Sequence, residues 1–169
     1  MLASVRHLLL ILGLISILPA QIAAQGAQIA FGGLKQDTSL PVEISADQLQ
    51  VDQADGTAVF SGNVRIGQGQ MRLSADKVLV EYAKGNGAGT GRISRLLATG
   101  NVILVNGPDA AQAREAIYSI DEGRIVMRGD VILTQGDNAL SSERMVINLK
   151  DGTAVMEGRV KSILKAGEN

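Results

Sequence analysis

The chain has 169 residues, 46% hydrophobic and 20% charged, and its 16 basic and 17 acidic side chains leave a formal charge of -1. That length suits one ordinary domain, and that charge excludes nucleic-acid binding driven by net charge. There is no Cys and the single histidine is His7, so once the N-terminal segment is removed nothing remains for Ser-His-Asp chemistry, a Cys nucleophile or a His or Cys zinc site.

Residues 1–24 read as a secretory signal. Arg6 supplies the positive start, Leu8 to Leu18 an apolar run, and Ile22-Ala23-Ala24 a small-residue site with cleavage expected near Ala24. The run has 11 residues before Pro19, against the ~20 that a membrane-spanning helix needs, so cleavage is expected rather than a retained anchor. Residues 25–40 show no period and read as a loose leader. The organised domain is expected over 41–164, followed by a short tail, 165–169.

From Pro41 the apolar residues alternate, as in Leu49 and Val51, Val64 and Ile66, Val78 and Val80, or Met145 and Ile147. This is the period of a strand with one buried face. Gly and Asp turns punctuate the pattern, among them Asp55-Gly56, Gly107-Pro108-Asp109, Glu122-Gly123 and Asp151-Gly152. The pattern predicts an all-β fold of short connections. Residues 109–118 are the one stretch that competes as a helix, and they lack an apolar stripe.

One phrase occurs four times: Phe60-Ser61-Gly62-Asn63-Val64, Ala98-Thr99-Gly100-Asn101-Val102, Met127-Arg128-Gly129-Asp130-Val131 and Met156-Glu157-Gly158-Arg159-Val160. Its glycines stand 38, 29 and 29 residues apart. One parity is nearly all apolar through each glycine, which predicts a long strand with an aliphatic concave side and a bulge or bend at the glycine. Val59, Leu97, Val126 and Val155 are apolar on the other parity, so the outer side is expected to be partly covered or to face a second layer.

A second phrase alternates with the first. It reads Ser45-Ala46-Asp47-Gln48-Leu49, Ser74-Ala75-Asp76-Lys77-Val78 and Ser141-Ser142-Glu143-Arg144-Met145, with a degenerate copy at Ala113-Arg114-Glu115-Ala116-Ile117. In that copy Ala116, Tyr118 and Ile120 compete with Ile117 for the buried parity. Four related units that bury a face only on their neighbours indicate a stacked fold.

The alternation of Gly-Asn-Val with Ser-Ala-Asp-x-Leu or Val, behind a signal segment, resembles the OstA-like domain family of lipopolysaccharide transport proteins over about residues 41–164. The resemblance implies a twisted β-jellyroll of stacked antiparallel strands, slightly open, whose hydrophobic groove holds lipid A acyl chains. It implies a periplasmic carrier and bridge that passes lipopolysaccharide from the inner to the outer membrane. Sheet-edge contacts would join copies head-to-tail and link them to LptC and LptD. No catalytic residue, metal or other cofactor is implied. Arg159, where other copies have Asn or Asp, and the Gly-rich insertion 84–91 depart from the pattern.

The aliphatic parity serves either a dry core or an open slot. Few aromatics and the strand glycines favour the slot, where apolar burial at ~25 cal/mol per Å² holds a lipid without fixing its conformation. The groove-lining candidates are Phe60, Val64, Ile66, Leu73, Val78, Val80, Leu104, Met127, Val131, Leu133, Met145 and Ile147. Asp47, Asp76, Glu115 and Glu143 recur once per unit, which fits turn or strand-end roles better than an asymmetric catalytic pair. Gly85 to Gly91 lacks the Gly-Lys-Ser/Thr ending of a phosphate loop and reads as a hairpin tip. Arg65, Arg72, Lys77, Arg92, Arg95, Arg128 and Arg144 suit a solvated face or lipid phosphates at the groove mouth. The rival readings are an exported β-solenoid enzyme acting on polysaccharide, disfavoured by the absence of Trp, a surface or adhesin module, and an LptC-like membrane-anchored relative.

Overall fold

The computed structural model describes residues 27–30, 36–83 and 91–164. The expected signal segment, residues 84–90 of the Gly-rich insertion and the tail 165–169 lie outside them. Eleven strands occur among the described residues: β1 (Ala27–Ala30), β2 (Glu43–Ser45), β3 (Gln48–Asp52), β4 (Thr57–Gln68), β5 (Met71–Tyr82), β6 (Ile93–Asn106), β7 (Asp109–Ser119), β8 (Arg124–Gln135), β9 (Asn138–Asn148), β10 (Thr153–Glu157) and β11 (Lys161–Ile163). Consecutive strands pair antiparallel in the order β1-β10-β9-β8-β7-β6-β5-β4-β2, with β3 also on β4 and β11 also on β9. Residues 109–118, the helix competitor, form β7.

Each repeated glycine bends its strand. On β4 the register with β5 jumps from Ser61↔Lys77 to Val64↔Ala75, so Gly62 and Asn63 stand against one residue, Asp76. The same two-against-one step recurs where β6 meets β7 and where β8 meets β9. The glycines at the step, Gly62, Gly100, Gly129 and Gly158, have φ of 77°, 77°, 81° and 79°. The residue after each is left-handed too: Asn63 at 47°, Asn101 at 45°, Asp130 at 49° and Arg159 at 42°. Asn and Asp tolerate that region better than other side chains, which explains three of the four.

A side chain from the preceding strand pins each step. Asp47 accepts from Asn63 Nδ2 at 2.7 Å and Asp76 accepts from Asn101 Nδ2 at 2.8 Å. In the third copy the charges are exchanged and Arg114 pairs with Asp130. In the fourth, Arg159 donates from Nε to Glu143 Oε1 at 2.6 Å. Arg159 therefore keeps the role of Asn63 by a different chemistry. The third pin is Arg114, not the expected Glu115, and the register of that copy shifts accordingly. Ala116 and Tyr118 face inward and Ile117 outward, because Arg114 takes the place that Asp76 and Glu143 hold.

Bending all long strands at one level divides the sheet into two arms that face each other. The first contains β3, β10, β1 and the halves of β4 to β9 that include Phe60, Val78, Ala98, Ala116, Met127 and Met145. The second contains β2, β11 and the halves that include Ile66, Leu73, Leu104, Ala111, Leu133 and Leu140. Aliphatic residues from both arms fill the space between them. Outside the first arm a cross-strand row runs Val59, Leu79, Leu97, Ile117, Val126, Val146 and Val155. No second layer covers it among the described residues; all but the buried Val126 are half-buried within the sheet surface.

The leader is ordered in part, since β1 pairs with β10 and Gln36 N donates to Leu149 O at 3.0 Å. A methyl group at Gly100 would strike the Asp76 carboxylate while φ stays at 77°. Gly100→Ala is expected to lower stability by about 2–4 kcal/mol, the sum of left-handed strain and a steric misfit. Urea unfolding followed by circular dichroism measures it.

Candidate functional site

The candidate site is the apolar space between the arms together with its mouth, the side opposite the bend. Alternation directs every second residue inward; across the step β4, β6 and β8 keep that parity while β5, β7 and β9, with one residue against two, shift it by one, so both halves of a strand contribute to one lining. Of the twelve expected lining residues, Val64, Ile66, Leu73, Val78, Val80, Leu104, Met127, Val131, Leu133, Met145 and Ile147 lie between the arms with at most 6% exposure. Phe60 is half-buried against the same cluster. All twelve are brought together, in a space whose side chains are packed on one another.

At the β3 end of the stack the lining comes into the open. Leu49 and Val51 on β3 hold the inward parity opposite Phe60 and Ala58, yet are 56% and 58% exposed because no further strand follows β3 among the described residues. At the opposite end Ile163 of β11, which pairs with Ala139 on the outward parity shared with Thr134, is 74% exposed, and Leu164 just after the strand is 66% exposed.

The mouth carries a polar row that the alternation pattern did not single out. Gln68, Asn106 and Gln135 end the second-arm halves of β4, β6 and β8, each six residues beyond its repeat glycine. The repeated amide was visible in the sequence, but a polar residue at the end of an apolar strand reads as a turn signal. Gln135 Nε2 donates to the buried Asp109 at 3.1 Å. Gln68 is 1% exposed and its Oε1 accepts from the Tyr118 hydroxyl of the facing arm at 2.7 Å. Strands three apart in the sheet thus meet across the mouth.

Two clefts flank this contact. One, of about 740 Å³, is lined by Leu40, Ile44, Ile66 and the basic Arg65 and Arg72. The other, of about 590 Å³, lies between Thr38, Leu40 and Val42 on one side and Arg92, Ile93, Ile120 and Asp121 on the other. Arg92 pairs with Asp121, Arg95 with Glu81 and Arg144 with Glu157. Lys77 and Arg128 project from the outer face of the first arm, exposed and away from the mouth. Among the described residues no group of three or more His, Asp or Glu is placed to hold a metal ion.

The family described as "LptA/(LptD N-terminal domain) LPS transport protein" matches residues 43–153, well over half of the chain. The chain belongs to this family. An uncharacterized protein of Rhizobium meliloti (strain 1021) is 28% identical over 115 residues, 66% of this chain and 62% of that protein. The lipopolysaccharide export system protein LptA of Escherichia coli (strain K12) is 41% identical over 44 residues, 26% of this chain and 24% of that protein. The chain thus spans less than two thirds of either relative. In fold it resembles LptH, the LptA-homologous periplasmic component of the lipopolysaccharide transport device of Pseudomonas aeruginosa, with a TM-score of 0.66 at 19% identity, over 78% of this chain and 99% of that one. The expected twisted, antiparallel all-β architecture is therefore that of the LptA family.

Burial pushes the Tyr118 hydroxyl from its usual 10.0 up to about 12. Below pH 10 the group is neutral in both folded and unfolded chains. Above it the unfolded chain releases the proton first, so this contribution to stability is lost as pH climbs from about 10 toward about 12. Tyr118→Phe is expected to remove that alkaline loss, at a cost of about 1 kcal/mol near neutrality from the lost hydrogen bond. Melting temperature against pH reads both effects.

Proposed function

We propose that the chain is a periplasmic, non-enzymatic carrier and bridge that shields the acyl chains of lipopolysaccharide between its two arms on the way from the inner to the outer membrane. The observation that carries this reading is the continuous aliphatic lining shared by both arms, in a chain of the LptA family. Aliphatic side chains suit acyl chains because apolar burial is non-directional, so one lining accepts many chain conformations. Because the lining residues touch one another across the space, loading requires the arms to part. The bend is the natural pivot.

Sheet-edge stacking is proposed for self-association head-to-tail and for contact with LptC and LptD. It is supported by β3 and β11, short strands at opposite ends of the stack that carry the exposed Leu49, Val51 and Ile163, with the exposed Leu164 just after β11. An uncovered edge invites pairing with another chain, and a contact between unlike edges extends into a filament. The polysaccharide-enzyme reading loses its acidic residues to the bend, since Asp47, Asp76 and Glu143 each hold a pin partner there.

Lining residues with no exposure are poor sites for a charge, which would unfold the protein whatever its function. A photoreactive benzoylphenylalanine in place of the half-buried Phe60 is expected to crosslink lipopolysaccharide in the periplasm, whereas one at Thr134, exposed on the outside of the second arm, is not. Equal labelling at both positions would count against the interior as the site. Ile163→Pro removes a backbone donor from β11 and is expected to shift sedimentation toward the monomer by at least tenfold in apparent Kd, with an unchanged circular dichroism spectrum.

A further inference from the structure

The mouth is crossed by a segment outside both arms. Residues 36–42 leave the first arm at the Gln36 N to Leu149 O hydrogen bond of 3.0 Å and reach the second arm at Ile44, which pairs with Ile66. Between these points the chain passes Gly123 of the β7–β8 turn, where the Thr38 methyl lies beside the Lys150 side chain, and Gly69 of the β4–β5 turn, where Gln36 and Leu40 lie. Ser39, Leu40 and Pro41 are exposed above, and Val42 packs on the core below.

Nearly every tie on this segment runs through one residue. Gln68 Nε2 donates to Thr38 O at 3.1 Å and to Leu40 O at 2.9 Å, Gln68 O accepts from the Gln36 side chain, and Gln68 Oε1 accepts from Tyr118. Both amide hydrogens and the side-chain oxygen are therefore engaged: the two acceptors of the amide hydrogens are on the crossing segment, and the hydroxyl that donates to the oxygen is on the facing arm. A buried amide satisfied in this way holds one geometry firmly, yet its partners are two main-chain carbonyls and one hydroxyl, all of which water can satisfy once the segment lifts. The two clefts lie on either side of the crossing, and Leu40 lines both.

We infer that residues 36–42 are a displaceable strap, keyed by Gln68 to Tyr118, and that acyl chains enter the space between the arms where it lifts. This deepens the carrier reading and rests on it. In the closed form the strap and the Gln68–Tyr118 contact hold the arms together; lifting the strap joins the two clefts and exposes Ile44, Ile66, Ile93 and Ile120 along one opening.

The chain contains no cysteine, so introduced thiols are unique reporters. Nitroxides at Gln70→Cys and Glu122→Cys, exposed positions on the two turns the strap passes, report the mouth width without any lipid. Gln68→Leu, and separately Gln36→Ala in case the buried substitution prevents folding, are expected to broaden that distance distribution toward longer values. In a second measurement, Ser39→Cys and Asp121→Cys, which line the same cleft, are joined by a reducible linker and the protein is offered short-core lipopolysaccharide. Loading is expected to slow at least tenfold when locked and to recover on reduction. An unchanged distance distribution in a folded variant, or a locked protein that loads at the unlocked rate, overturns the strap. Failure of the unlocked protein to load at all overturns the carrier reading itself, whatever the labels report.

Discussion

The architecture depends on one local constraint, the pair of left-handed residues that interrupts each long strand and the side chain that pins it. A single left-handed residue would merely kink a strand. Two in succession, placed at the same level in β4, β6 and β8 and at the junction of β10 with β11, fold the whole sheet over without breaking its pairing. Because the step sets two residues against one, β4, β6 and β8 keep their inward parity while β5, β7 and β9 shift theirs by one, and both arms present aliphatic groups to the same space. The bend, the lining and the mouth are consequences of one repeated event.

The pins show how such an event survives changes in sequence. An Asp to Asn hydrogen bond, an Arg to Asp pair and a Glu to Arg pair occupy one site in successive units. What the fold requires is a donor and an acceptor bridging neighbouring strands, in either order. Exposed pairs of this kind contribute modestly to stability, so their common feature is geometric: each holds a residue such as Arg159 in a backbone region it would otherwise avoid.

Much of this was legible in the chain because the relevant signals are periodic. Alternation gave the strands and the twelve inward residues, and recurrence of Gly62, Gly100, Gly129 and Gly158 gave the bends. The third unit misled because Glu115 looks like the acid of its siblings, whereas the pin there is the base beside it. Only the exchange of charge with Asp130, sixteen residues away, reveals that. Residues 36–42 have no period of their own, so nothing in the local sequence marks them as ordered. Their order comes from Gln68 and Tyr118, contacts that no local pattern encodes.

The pins also give the spine of the molecule a direction. At the β3 end, Asp47 and Asp76 each carry a negative charge beside a neutral Asn; further along, Arg114 with Asp130 and Glu143 with Arg159 cancel. Two molecules meeting by their β3 ends would set like charges close together, while one meeting another tail to head sets the anionic end against a balanced one. Were copies to associate end to end, this asymmetry would disfavour the symmetric encounter at low ionic strength.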